Sequence, residues 1–407
     1  MTIGIFLEHY DPFISGVITS VKTLRQELER RGHKVYIVAP KAGKFKDNDP
    51  HVIRIPSITT KYLENTTVGL PNPLTTHQLM KIRFDIIHAQ EVFYTCQLGM
   101  VIARRQGIPF VQTYHTLWDR FIEQYNLDAR VEAVGVISTG LSYPFLFGLS
   151  NTIKLFKKDV RYEGSSKHLP NMMWRHMLTM GRSADAVVVP SEHLAKALKV
   201  SGLQTSVKVI PNGLSLHKHE DYELLPAKSS DRLRILSVAR HSPEKRVNVL
   251  IEALAKAHNL DAELILVGEG PTHSQLEELV SERKLGSKVR FMGNLSNAAV
   301  REIMRESDIL CLASYNFDNQ PMVIIEALEA GLPVVYCDPN LKEGLSASNS
   351  LLIDKEPDNF AAAYKKLAEP TLRKRMSTAS KRLSKNYRIE LLVDKVQSVY
   401  EQALKES

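Results

Sequence analysis

Short, almost uninterrupted apolar runs recur along this chain, separated by stretches with helical spacing, and that alternation restricts the fold more than any other feature. Thr2–Leu7 is such a run. Ser20–Arg31 then carries apolar residues at helical spacing, Gly32 follows as a helix stop, and Lys34–Ala39 forms the next strand. Val52–Ile55, Asp85–Ala89, Pro109–Thr113, Val187–Pro190 and Ser206–Pro211 continue the series. Strands that are apolar on both faces and joined through helices belong to a parallel, doubly wound sheet.

A second series starts at Leu233, with strands at Arg234–Ala239, Glu263–Gly268, Val289–Met292, Ile309–Leu312 and Pro333–Tyr336. The Asn212–Asp231 stretch, rich in His, Gly, Ser, Lys and Pro and without periodicity, reads as a linker. Ile389–Leu404 is amphipathic and helical. With 407 residues, too many for one ordinary core, the expected class is α/β: two Rossmann-like domains facing each other across a cleft. Residues 1–212 form the first and 233–388 the second, with 389–407 a helix crossing back to the first. Ligands belong at the carboxyl ends of the strands.

Composition narrows the setting. Cys96, Cys311 and Cys337 are odd in number and scattered, which argues for a reducing compartment and against a disulfide framework or a cysteine metal site. Ile3–Leu7 is followed at once by Glu8, His9 and Tyr10, so the start reads as a strand and not as a signal peptide, and a cytoplasmic protein is expected. The net charge of +8 admits nucleic acid, an anionic membrane or anionic substrates as partners, depending on where the charge lies.

Four segments of the second half point to phosphate and sugar chemistry. Ser237-Val-Ala-Arg-His-Ser-Pro-Glu-Lys-Arg246 leaves a strand and enters a helix, carrying Arg240 and Lys245 where a diphosphate can be clamped. Val267-Gly-Glu-Gly-Pro271 is a glycine turn that lets the backbone approach a ligand. Val289-Arg-Phe-Met-Gly293 closes another strand. Asp318-Asn-Gln-Pro-Met-Val-Ile-Ile-Glu326 is a loop that opens a helix continuing to Gly331. Each piece alone is more often a surface ion pair or an ordinary turn; their joint order is more specific.

In that order the segments resemble the large retaining GT-B glycosyltransferase family usually numbered four. The resemblance runs over nearly the whole chain and is strongest from Leu233 to Pro339. In that family the fourth segment is Glu, seven residues, Glu; here Asp318 takes the first position and Glu326 the second. The resemblance implies that Asp318 faces the donor-sugar hydroxyls and Glu326 the nucleotide ribose, while amides around Met322 and Val323 hold the phosphates at a helix N-terminus. Gly268 and Phe291 join them as donor-binding residues. Arg246 departs from the family, which usually has a glycine there. The same two carboxylates could instead be a glycosidase pair, but the upstream cations suit a diphosphate leaving group better.

Within the first half, Tyr10-Asp-Pro-Phe-Ile-Ser-Gly-Val17 resembles the family's glycine-rich loop, with Gly16 near the transferred sugar, and His115 matches the position beside the reacting carbon. The implied chemistry is retention with no assigned protein nucleophile; His115, Asp318, Arg240 and Lys245 are the catalytic candidates. The Asp-x-Asp at Asp47-Asn-Asp49 reads as a polar loop between strands and not as a ligand cluster, and neither a metal nor another cofactor is called for beyond the nucleotide-sugar co-substrate.

The acceptor is suggested further along. Ala133–Ile153 lacks any charged residue and crowds Tyr143, Pro144, Phe145, Leu146 and Phe147; Ile153–Arg182 carries seven Lys and Arg against two acids, +5. Apolar side chains beside a basic run suit a helix lying on an anionic bilayer, or a buried helix with a solvated basic face. The opening loop, His115-Thr, Trp118 and Tyr125 look most like bacterial diacylglycerol glucosyltransferases, whereas Arg130–His168 resembles an insertion. These readings imply glucose transfer from UDP-glucose to diacylglycerol by a protein bound peripherally to the inner face of the cell membrane, with no nucleic-acid partner. A phosphoinositide, polyprenyl-linked or soluble glycan acceptor is the alternative; a sugar-nucleotide epimerase is an alternative of another class.

Overall fold

The computed structural model describes residues 1–13, 15–60, 66–70, 72–117, 120, 168–214 and 232–406. The chain divides into two compact units: Met1–Gly213 together with Ile389–Ser407, and Leu214–Arg388.

In the first unit, β1 (Thr2–Phe6) leads into α1 (Gly16–Arg30), β2 (Lys34–Pro40) and β3 (Val52–Ile55). A small antiparallel hairpin, β4 (Ser57–Thr60) with β5 (Thr66–Gly69), precedes α2 (Pro73–Met80). Then come β6 (Ile86–Ala89), α3 (Tyr94–Gln106), β7 (Phe110–Thr113), α4 (His168–Arg182), β8 (Ala186–Val189), α5 (Glu192–Val200) and β9 (Val207–Val209). The sheet runs β3-β2-β1-β6-β7-β8-β9, parallel throughout. Ile3 and Ile5 face one apolar layer and Phe6 the other, which explains why β1 is a continuous apolar run. The C-terminal helix Ile389–Glu406 packs Leu392, Val393, Val396 and Tyr400 into the first of these layers.

The second unit repeats the pattern with β10 (Leu233–Val238), α6 (Val247–Lys256), β11 (Ala262–Val267), α7 (His273–Glu282) and β12 (Val289–Phe291). It continues through α8 (Asn297–Glu306), β13 (Ile309–Leu312), α9 (Met322–Ala330), β14 (Val334–Tyr336), β15 (Ser350–Leu352), α10 (Pro357–Leu367) and α11 (Pro370–Ser384). Its parallel sheet runs β12-β11-β10-β13-β14-β15. In each sheet the third, second, first and fourth ladder strands lie side by side, so the order reverses next to the unit's first strand, where doubly wound sheets bind ligands.

Local differences from the sequence reading have physical reasons. Helix α1 starts at Gly16 and not near Ser20, because the Ser15 hydroxyl caps it by accepting from the Ile18 amide at 3.2 Å. Arg31 is its cap and Gly32 follows at φ +83°, the left-handed position that a glycine fills without strain. Strand β9 is shorter than Ser206–Pro211, and β4, β5 and β15 were not foreseen, being only three or four residues long. The three cysteines are free and buried. Asp47 and Asp49 pair with Arg54 and Arg25, so the polar loop is an ion-pair anchor.

The membrane reading falls mostly outside the described residues, since 121–167 are not among them. Its last turns are described, and they take one base, Arg175, out of the count. Arg175 in α4 is only 8% exposed, so its charge is not offered to a surface, whereas Arg182 is exposed and donates to the Gly202 carbonyl at 3.3 Å. Among the described residues no helix is long and apolar enough to cross a membrane.

Candidate functional site

In the second unit the site residues lie at the carboxyl edge of the sheet. The chain leaving β10 stays paired with its neighbour: the Ala239 amide donates to Val267 O at 3.0 Å and the His241 amide to Glu269 O at 2.9 Å. Arg240, half-buried, lies in this extension. A single 3₁₀ turn, Pro243–Lys245, follows, and Arg246 then takes φ +51° before α6 begins. That turn brings Lys245 to Asp318 in the loop after β13: Nζ donates to Oδ1 at 2.5 Å, with the side chains only 21% and 13% exposed. Lys245 also lies 5.3 Å over the Phe317 ring. The other carboxylate oxygen, Asp318 Oδ2, is buried with no hydrogen-bond partner. A buried acceptor left open in this way is ready for a donor group such as a hydroxyl.

Pro321 precedes α9, and no side chain caps the first turn at Met322 and Val323. The positive end of the helix is left for an anion. Glu326, one turn further, is half-buried; burial pushes its carboxyl up from the usual range, with Arg301 pulling the other way.

The glycine turn packs tightly against the chain that leaves β10. Gly268 sits at φ +129°, and a Cβ there would lie 2.1 Å from the Ala239 carbonyl; one on Gly270 would lie 2.3 Å from the His241 carbonyl. These glycines admit a neighbouring stretch of the protein's own backbone, the one carrying Arg240. Phe291 ends β12 edge-on to two histidines, 6.0 Å from the His241 ring and 5.0 Å from that of His273. The imidazoles stack at 5.0 Å and share a 2.8 Å Nδ1–Nδ1 hydrogen bond. Burial and the neighbouring ring lower the His241 pKa, while Glu269 opposes. The pair was missed in the sequence, where 32 residues separate its members; only the proximity of each to an expected site segment hinted at it.

In the first unit, Gly16 is exposed as the first residue of α1. The loop before it is fixed at Asp11, whose carbonyl accepts from Arg54 Nη2 at 2.6 Å and whose carboxylate accepts from Lys22 at 2.5 Å. His115 stands two residues beyond β7, its Nε2 bonded to Gln90 Oε1 at 2.8 Å. Since an amide oxygen only accepts, the proton is on Nε2. Burial lowers the His115 pKa to about 4 and that of neighbouring His88 to about 3. Both rings are therefore neutral near pH 7.

Two family models divide the chain. Glycosyltransferase Family 4 matches residues 14–218 and Glycosyl transferases group 1 matches residues 225–401. The chain belongs to glycosyltransferase family 4. Among curated proteins this transferase is similar to the alpha-monoglucosyldiacylglycerol synthase of Acholeplasma laidlawii, 28% identical with 82% of this chain and 80% of that one covered. The Streptococcus pneumoniae protein of the same description is 27% identical, covering 89% and 75%. The phosphatidyl-myo-inositol mannosyltransferase of Mycolicibacterium smegmatis is 24% identical over 83% and 76%. Anabaena HepE in complex with UDP superposes with a TM-score of 0.70 at 17% identity, over 99% of this chain and all of that one. Sucrose-phosphate synthase from Thermosynechococcus elongatus gives 0.70 at 17% over the whole of both chains. The fold is GT-B, and the family 4 protein is a hexosyltransferase.

Proposed function

We propose that this transferase moves glucose from UDP-glucose to diacylglycerol at a membrane surface, retaining the anomeric configuration. The observation that carries this reading is the 28% and 27% identity to two alpha-monoglucosyldiacylglycerol synthases, each over more than four fifths of this chain.

The site supports it. Arg240 and Lys245 would neutralise the departing diphosphate, and the open turn at Met322 and Val323 would donate to its oxygens. Lys245 is held at 2.5 Å by Asp318, whose second oxygen awaits a donor such as a sugar hydroxyl. One pair would thus contact both halves of the donor, cation to phosphate and carboxylate to sugar. Glu326 would accept from the ribose hydroxyls. The leaving diphosphate would take the proton of the incoming hydroxyl on the same face, so the protein supplies position and charge. Gly16 and the neutral His115 would attend the transferred sugar. Neither a metal nor a further cofactor enters this reading, and the protein would act peripherally on the cytoplasmic face.

A phosphoinositide acceptor is the second reading, favoured by the 24% identity to a phosphatidyl-myo-inositol mannosyltransferase. Incubating the protein with UDP-glucose, GDP-mannose and other donors over liposomes of defined lipid, with product identified by mass spectrometry, separates the two. Glucosyl-diacylglycerol supports the first; a mannosylated inositol lipid, or turnover of donor without acceptor, overturns it.

A further inference from the structure

Beside His115 the first unit contains a pocket of about 40 Å³ that the proposed mechanism leaves unused. At roughly 10–15 Å³ per water-sized group it holds about three. Its polar lining is formed by Ser20, His88, Gln90, Thr113, His115 and Asn212. The apolar lining is largely aliphatic and includes Leu24 of α1, Val188 of β8, Ile210, and Leu392 and Val396 of the C-terminal helix.

Most of the polar lining is already paired. His88 bonds to Tyr400 OH at 2.7 Å through Nδ1 and to Thr113 Oγ1 at 2.6 Å through Nε2. Ser20 Oγ donates to Asn212 Oδ1 at 2.7 Å. Gln90 differs. It is 2% exposed, its Oε1 is taken by His115, and its Nε2 has no partner. Buried amide donors are almost always paired, so such a group calls for an oxygen that arrives with a ligand. Among the described residues no Lys, Arg, Asp or Glu lines the pocket. An anionic group placed there would lose its hydration with no countercharge to replace it.

We propose that this pocket receives the oxygen-bearing end of an uncharged hydroxylated lipid, Gln90 Nε2 donating to its oxygen and the aliphatic lining taking the adjoining carbons, so that the enzyme discriminates against acceptors phosphorylated at that end. The proposal rests on the lipid-acceptor reading above and adds its determinant: the acceptor is selected for lack of charge. The choice of a glyceride over an inositol phospholipid then follows from the pocket lining.

The test uses the full chain, UDP-glucose and three acceptors with matched acyl chains in neutral detergent micelles: diacylglycerol, phosphatidic acid and phosphatidylinositol. Diacylglycerol alone should be glucosylated. Gln90→Leu should raise the KM for diacylglycerol about tenfold, the typical worth of one lost hydrogen bond. The dissociation constant for UDP should stay as in the wild type. Val396→Phe, which adds bulk to the aliphatic lining, should raise the same KM and carries the test if Gln90→Leu does not fold. A phosphorylated acceptor used with comparable kcat/KM overturns the proposal. So does an unchanged acceptor KM in both variants, which would leave only a buried water for Gln90 Nε2. If no lipid is glucosylated while a soluble acceptor is, the functional reading itself falls and takes this proposal with it.

Discussion

Replacing Glu8 with Gln should abolish a pH dependence built into the first unit. Glu8 follows β1, is 3% exposed, and accepts from Thr95 Oγ1 at 2.9 Å and from the Cys96 amide at 3.2 Å. It thereby supplies the cap that Phe93 does not give to α3. Those hydrogen bonds favour the carboxylate, but burial outweighs them and raises the pKa from 4.5 to about 7. The folded state therefore holds this proton more tightly than the unfolded state. The stabilisation is full below pH 4.5 and is lost as pH rises through 7, a loss of about 3 kcal/mol at about 1.36 kcal/mol per pKa unit.

Buried histidines act in the opposite sense. His9, His115 and His176 are lowered to about 4 and His88 to about 3, so their contribution is present above 6.5 and is lost as pH falls. They titrate alike in wild type and Glu8→Gln, so the difference in stability between the two proteins isolates Glu8. The assay is urea unfolding followed by tryptophan fluorescence. Both tryptophans, Trp118 and Trp174, fall within Met1–Gly213, so the signal reports on that unit alone. From pH 4.5 to 8 the variant should gain about 3 kcal/mol relative to wild type. A difference that stays flat across this range would refute the claim that burial dominates at Glu8.

Three further outcomes test the donor and membrane assignments. Arg240→Ala and Lys245→Ala should each lower kcat/KM by about 2–4 kcal/mol of transition-state stabilisation with an unchanged circular dichroism spectrum; near-native turnover in both would remove the diphosphate clamp. Asp318→Ala should cut turnover while calorimetry finds UDP affinity nearly unchanged, and Glu326→Ala should weaken UDP itself; equal loss of UDP binding in both would refute the division of roles. The protein should co-sediment with anionic vesicles less as salt rises, because exposed charges are screened beyond about 8–10 Å. Changing Lys154, Lys157 and Lys158 to Glu should abolish that binding, and a wild type that ignores such vesicles at low salt ends the membrane claim.

The strands were legible in the sequence because a strand buried on both faces must be apolar at nearly every position; Ile309–Leu312 and Val52–Ile55 have the expected limits. The hairpin of β4 and β5 was not, since Ser57–Thr60 mixes polar and apolar residues without a clear period. Pairings of distant side chains lay beyond reach for a different reason. Lys245 and Asp318 are 73 residues apart, and each had a separate role until the loops after β10 and β13 brought their charges together. The orphaned amide of Gln90 is similarly invisible, because only the packing around it decides which hydrogen bonds it can make.

Arg246 shows how a departure in sequence can leave the conformation intact. The family resemblance has glycine there, and the reason is backbone geometry: the residue takes φ +51°, which costs an ordinary side chain roughly 1–2 kcal/mol. Arginine offsets that cost with its guanidinium, Nη2 donating to Lys355 O at 2.8 Å and Nη1 to Ala313 O at 3.3 Å. Hydrogen bonds to charged groups contribute about 1.5–3 kcal/mol each at good geometry, less for the longer one, so the two together balance the strain. The turn that delivers Lys245 to Asp318 is thus kept by a different means, with the new side chain tied to the loops after β13 and β15. What has to be retained at this position is a left-handed residue one step after the lysine, and a residue type inferred from resemblance stands in for that conformation only indirectly.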